Sequence, residues 1–152
     1  MLEVETVKDA ESLVGKSLGT SDWFLIDQQM VDDFAKLTRD MNWIHVDVQK
    51  AATQLPDGRT IVHGMLTLSL VIHLGAKIFS IRRRKHGINY GADRVRFTAP
   101  IPVGSRIRLH RSLKAYEPVE GGARLTFLNT IEVKGSERPA MLADTISIVY
   151  SA

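Results

Sequence analysis

Ile61-Val62-His63-Gly64-Met65-Leu66-Thr67-Leu68-Ser69-Leu70-Val71-Ile72-His73-Leu74-Gly75-Ala76-Lys77-Ile78-Phe79 is the stretch on which the fold turns. Its apolar side chains do not keep to one stripe. A helix that is apolar on nearly every side needs other elements wrapped around it, so the spacing predicts a central buried helix from Ile61 to about Phe79. The run is too short to span a bilayer comfortably, and it is interrupted by His63, Thr67, Ser69 and His73. Arg82-Arg83-Arg84-Lys85 follows it and is expected to end the helix, where basic side chains suit the negative pole of the dipole.

Working back from this helix, Trp23, Phe24, Leu25 and Ile26 form a compact β-favouring run between Asp22 and Asp27, predicted as a first strand. Asp27 can cap the amides of Gln29 or Met30. Met30, Val31, Phe34, Ala35, Leu37 and Thr38 then share one face of a helix that delivers Asp40 at its C-terminal end. A carboxylate at that pole is mildly favoured in its protonated form, a shift that suits proton transfer. A short helical turn is expected from Val46 to Ala52, then a loop over Gln54-Leu55-Pro56-Asp57-Gly58-Arg59. Residues 1–18 read as an N-terminal arm or short helix.

Beyond Gly87 the period changes to two. Val95 and Phe97, Ile107 and Leu109, Leu125, Phe127, Ile131 and Val133, then Ile146, Ile148 and Tyr150 mark four strands. They are separated by turn chemistry at Pro100-Ile101-Pro102-Val103-Gly104, Glu120-Gly121-Gly122 and Gly135-Ser136. The order β, helix, long apolar helix and four strands is an α+β class, with an antiparallel sheet curled around one helix. At 152 residues the chain is expected to form a single domain, 1–152.

Composition excludes several functions. The chain has no cysteine, hence no disulfide, thiolate metal site or cysteine nucleophile. Its net charge of +3 is spread among interspersed acidic residues, which suits a phosphorylated small molecule better than nucleic acid. The N-terminus lacks the form of a secretory signal, so a cytoplasmic protein with no membrane partner is expected.

The residues that can carry chemistry lie in Arg39-Asp40-Met41-Asn42-Trp43-Ile44-His45-Val46-Asp47 and at the head of the long helix. Asp40 and His45 are candidates for proton transfer. On the residues alone the favoured reading is a helix-end aspartate and a surface histidine bonded to local backbone. Gly64 would have a free N–H at the helix start, where a carbonyl oxygen can approach closely, although close helix packing also calls for glycine. His45, Asp47 and His63 do not specify the convergence that a zinc site needs, and no metal is expected.

Asp40-Met41-Asn42-Trp43-Ile44-His45, Ala51 after it, and Ile61-Val62-His63-Gly64-Met65-Leu66 beyond resemble the signature of the MaoC-like (R)-specific enoyl-CoA hydratases. Trp43 stands where that family commonly has proline. With Ile88-Asn89-Tyr90-Gly91 and Pro102-Val103-Gly104-Ser105, this version is similar to the NodN-like branch. The resemblance runs from about Gly19 to Tyr150 and implies a hotdog fold and a homodimer. It also implies hydration of trans-2-enoyl-CoA to (R)-3-hydroxyacyl-CoA, or the reverse, in fatty acid metabolism. Such a reaction needs a base for the water, an acid for the α-carbon and donors for the enolate oxygen. The resemblance assigns Asp40 and His45 to proton transfer, Asn42 to holding the water or loop, and Gly64 to the oxyanion hole. Trp43, His63 and Tyr90 are candidates for the substrate pocket, with core packing the alternative for the aromatics.

No cofactor is expected, coenzyme A being part of the substrate. Acyl carrier protein could replace it, since both present the same phosphopantetheine arm. Arg82 to Lys85, Arg94, Arg96, Arg106 and Arg108 are candidates for its phosphates. A hotdog acyl-CoA thioesterase and a non-catalytic acyl-binding or assembly subunit are the alternative functions. The Asp-x-Asn-x-x-His spacing speaks against the first and the intact Asp40, Asn42, His45 and Gly64 against the second.

Overall fold

A computed structural model describes all residues, 1–152. The long helix, α4, spans Gly64–Ala76, three residues shorter at each end than its apolar run. Ile61 is held in extended backbone by a bridge to Pro102, and Ile78 and Phe79 turn into the sheet. Leu66, Val71 and Leu74 of α4 are buried with Ile107, Leu109, Leu113, Leu125, Ile131 and Met141 in one core.

The sheet has seven strands: β1 (Leu2–Thr6), β2 (Ser17–Thr20), β3 (Phe24–Leu25), β4 (Phe79–Phe97), β5 (Arg106–Val119), β6 (Gly122–Val133) and β7 (Met141–Ser151). They are ordered β1-β4-β7-β6-β5-β2, with β3 also on β5, and the sheet curves around α4. All pairings are antiparallel except β1 with β4. In β6 the side chains of Ala123, Leu125, Phe127, Asn129, Ile131 and Val133 all face the core, as period two requires. In β7 the buried face carries Met141, Ala143 and Val149; Ile146, Ile148 and Tyr150 share the other face.

Four expectations are corrected. Arg82 to Lys85 do not end a helix; they lie in β4, where buried Phe79 and Ile81 alternate with Ser80 and Arg82. The expected arm or helix over residues 1–18 contains β1, a 3-10 helix over Lys8–Leu13 and the start of β2. Leu2 and Val4 alternate with Glu3 and Glu5, and Arg82 of β4 forms ion pairs with both glutamates, so the strand pattern in each segment is completed by the other. The strand at Trp23 to Ile26 shrinks to two residues and is third rather than first. Finally, α4 is not covered on every side: Met65 and Ile72 are more than half exposed, because the sheet of one chain wraps only one side of the helix.

The helix before the site, α1, spans Gln28–Thr38, and Asp27 caps it by accepting from the Met30 N–H at 2.9 Å. Arg39 adopts a left-handed conformation (φ 65°) and turns the chain so that Asp40 begins the site segment. Two short helices follow, α2 (Trp43–Val46) and α3 (Val48–Gln54), displaced from the predicted turn at Val46 to Ala52 because Asn42 and Asp47 each cap a separate one. No helix is long and apolar enough to cross a membrane.

Two substitutions test these supports by urea denaturation. Asp27→Ala should cost about 1 kcal/mol through the lost cap. Leu74→Ala, at a site 2% exposed, should cost about 2–5 kcal/mol through the cavity it leaves.

Candidate active site

Three backbone hydrogen bonds pin the chain entering α4. Ile61 N–H donates to the Ile44 carbonyl at 2.9 Å, Val62 N–H to Ile101 at 2.8 Å, and Val103 N–H to Thr60 at 2.8 Å. These bring α2, carrying His45, against the head of α4, carrying Gly64. Gln28 at the start of α1 ties the same corner together: its amide donates to the His45 carbonyl at 2.8 Å and accepts from the Thr60 hydroxyl.

His45 is buried, and its Nδ1 lies 2.6 Å from the Ile61 carbonyl oxygen. A carbonyl can only accept, so Nδ1 carries the proton and, in the neutral ring, Nε2 keeps a lone pair. Burial pushes the His45 pKa below the ordinary histidine value; the bond to Ile61 opposes that shift, and His63 adds to it. The rings of His45 and His63 stack at 3.8 Å. His63 Nε2 is 3.1 Å from the Asp40 carbonyl, to which it donates, leaving a buried Nδ1 without a partner.

The Asp40 carboxylate is 54% exposed and stands 3.9 Å from His63 Nε2. Asp40, His45 and His63 have donor or acceptor atoms all within 4.8 Å of one another. Asn42 faces the backbone: its Oδ1 accepts from Ile44 N–H at 3.4 Å and caps α2.

Gly64 is the first residue of α4, which has no side-chain cap; the first helix amide with a partner is that of Thr67, bonded to the His63 carbonyl. The Gly64 N–H is therefore free at the positive pole of the helix. A methyl group on Gly64 would meet the Phe97 ring at 2.8 Å. His45, Ile61, Gly64, Thr67, Phe97 and Pro100 line a cavity of about 240 Å³ at this point. The structure thus places the His45 ring and an uncapped helix amide on one cavity, with the Asp40 carboxylate beside His63 and the stacked His45 ring.

Of the residues singled out in the sequence, Asp40, His45 and His63 lie together, and Gly64 lines the cavity that His45 also lines. Trp43 does not line the cavity; its ring lies under Lys50 at 4.3 Å. Tyr90 lies on β4 beside the middle of α4 and lines a separate cavity there. Gln28, the Ile61 carbonyl and Phe97 were not legible as site groups, because each acts through a contact distant in sequence.

Comparison with known proteins identifies the family. The MaoC like domain matches residues 9–130. The chain belongs to the MaoC-like dehydratase family. It is 43% identical to 3-hydroxyacyl-thioester dehydratase Z of Mycobacterium tuberculosis, over 96% of this chain and 97% of that one. It is 41% identical to Nodulation protein N of Rhizobium leguminosarum bv. viciae, over 95% and 91%. Among solved structures, the (R)-hydratase of A. caviae involved in PHA biosynthesis superposes with a TM-score of 0.71 at 26% identity, covering 88% of this chain and 94% of that one. Rv0216 of Mycobacterium tuberculosis, a double hotdog protein, superposes with a TM-score of 0.70 at 15% identity, covering 92% and 40%. The MaoC-like chain has the hotdog fold, and its family is one of dehydratases and hydratases, lyase-type enzymes.

The lowered His45 pKa makes the stability of the fold depend on pH. Between the lowered folded value and the ordinary histidine value, the unfolded chain binds the proton that the folded chain refuses. The His45 contribution to stability is complete above the ordinary histidine value and is lost as pH falls through that window. Urea midpoints measured across the acid range should fall less steeply for His45→Gln than for the unaltered protein.

Proposed function

We propose that this protein adds water to trans-2-enoyl thioesters to give (R)-3-hydroxyacyl thioesters, and catalyses the reverse dehydration. The observation that carries the reading is the convergence of Asp40, His45 and His63 within 4.8 Å, with His45 and the uncapped Gly64 lining one cavity. A water held between Asp40 and His45 gives a proton to one of them as its oxygen bonds to C3. The displaced electron pair moves to the thioester oxygen, which the Gly64 N–H and the helix dipole stabilise. The acquired proton returns to C2 on the same face, so one water is added syn. Asn42 holds the turn between the two groups by capping α2. The dehydratase name of the 43% relative supports a thioester substrate.

The carrier arm would leave over Ala99 and Pro100. Those residues also line an adjoining cavity of about 270 Å³ with Arg59, Lys134 and Arg138 at its wall, beside Asp57. These cations suit the phosphates of coenzyme A or of the acyl carrier protein arm. Arg82 and Arg108, candidates from the sequence, are occupied by glutamates.

A homodimer completes this reading. Beyond Arg83, β4 is paired only with β7, so its other edge is open for the rest of its length. Ile88, Tyr90 and Phe97 of β4 and Met65 and Ile72 of α4 are each close to half exposed or more. An open strand flanked by apolar side chains suits antiparallel pairing with a second copy.

We also propose that the reaction uses no metal. Asp40, His45 and His63 are near enough to converge on an ion. The His63 Nε2 that faces Asp40 holds its proton against the Asp40 carbonyl, which removes a ligand from the set.

With crotonyl-CoA and a longer enoyl-CoA, loss of the enoyl absorbance without thiol release is expected, unchanged by EDTA. Asp40→Asn and His45→Ala should each lower the rate at least about 100-fold. Thiol release would instead mark a thioesterase, and binding without turnover a non-catalytic acyl-binding subunit. Ile88→Lys should shift the sedimentation of the protein from dimer towards monomer.

A further inference from the structure

A cavity of about 220 Å³ lies at the far end of α4, lined by Ile72, Gly75 and Ala76 of the helix and by Arg84, Asn89 and Arg111 of the sheet. Nothing in the hydration chemistry uses it. No acidic side chain lines it, and neither arginine takes part in an ion pair.

Arg111 is held there by a dedicated set of contacts. Its Nε–H donates to Asn129 Oδ1 at 2.9 Å, Nη2 reaches the Val71 carbonyl at 3.4 Å, and the guanidinium lies over the Phe127 ring at 4.6 Å. Asn129 is 2% exposed on the core face of β6. The two hydrogens of its Nδ2 are shared among the Phe127 and Ala143 carbonyls and the Thr145 hydroxyl, so its Oδ1 has to face Arg111. Gly75 makes the room, since a Cβ there would fall 2.0 Å from Nη1 of Arg111. Nη1, at the cavity wall beside Gly75, makes no hydrogen bond within the protein. Burial lowers the Arg111 pKa to about 10.

A core position that needed only filling would hold leucine or methionine, because a buried charge without a counter-ion works against folding. A planar fork with free N–H groups in a cavity is instead the geometry that recognises a carboxylate.

The cavity is also placed at the end of a line. Gly64 and Thr67 line the cavity at His45; Leu68, Ser69 and Ile72 line the next, of about 340 Å³; Ile72, Gly75 and Ala76 line the last. The second and third share Ile72, Asn89 and Thr145. At 1.5 Å per residue, Gly64 and Gly75 are about 16 Å apart along the axis, within reach of an extended acyl chain of medium length.

We propose that Arg111, with Arg84 beside it, is a subsite for a carboxylate at the distal end of the acyl chain, so that the substrates include enoyl thioesters of dicarboxylic acids. This rests on the hydration reading above. The test compares 2-dodecenoyl-CoA with 2-dodecenedioyl-CoA, which differ only in a terminal methyl or carboxylate and are long enough to run from Gly64 to Arg111, and separately measures suberate binding by calorimetry.

The unaltered protein should show kcat/KM about tenfold higher for the carboxylate-ended thioester. Arg111→Met should abolish that preference and weaken suberate binding by a similar factor. Arg84→Gln, on an exposed strand position where folding is not at stake, should reduce the preference about threefold. Equal rates for the two thioesters in an active protein overturn the subsite and leave hydration standing. So does a preference that neither variant changes. If neither thioester is hydrated, the hydration reading fails, while suberate binding that depends on Arg111 or Arg84 still upholds the carboxylate site; no suberate binding then overturns both.

Discussion

The hydrogen bond from His45 Nδ1 to the Ile61 carbonyl is the contact on which the site depends. It joins a short helix to the extended residues that lead into α4, and it does chemical as well as structural work. Because a carbonyl cannot donate, the bond selects the tautomer that leaves a lone pair on Nε2. It also anchors the ring beneath His63, buried and stacked, and it is the burial that pushes the ring towards its neutral form. The same residue, Ile61, is bound through its own N–H to Ile44, so the helix entry and the base cannot move independently.

The head of α4 then supplies what a side chain could not. A glycine amide at an uncapped helix start is a donor with a partial positive charge and no bulk, and Phe97 beside it leaves no space for even a methyl group. The other end of the same helix makes an analogous use of glycine. At Gly75 the missing side chain admits a guanidinium into the core, where Asn129 holds it. The helix is thus both the centre of the fold and the axis along which polar groups are presented, a donor at one end and a cation at the other.

Much of this was legible in the residues. The apolar run at Ile61 to Phe79 marked the central helix, and the period of two after Gly87 marked a sheet to wrap it. Asp27 before an amphipathic face marked the cap of α1. The Asp-x-Asn-x-x-His spacing pointed to Asp40 and His45. The errors have a common cause. β1 and the start of β4 are individually weak patterns, a charged N-terminus and a basic cluster, and become strands only by pairing Leu2 to Phe79 and Val4 to Ile81 across the chain, with Glu3 in an ion pair with Arg82. Helix dipole logic explained the basic cluster plausibly from local sequence and was overruled by a partner some eighty residues away.

The sequence by itself determined which segments were apolar, where turns had to fall and which residue types could move protons, since these are properties of neighbours along the chain. Only the tertiary structure decided the tautomer of His45 and the direction of its pKa shift, because the first comes from the Ile61 carbonyl and the second from burial, neither of which is local. Arg111 shows the same division. In the sequence it is one more basic residue in an alternating strand; in the fold it is a guanidinium in a cavity with no carboxylate beside it, because packing against α4 removed it from water and supplied no counter-ion.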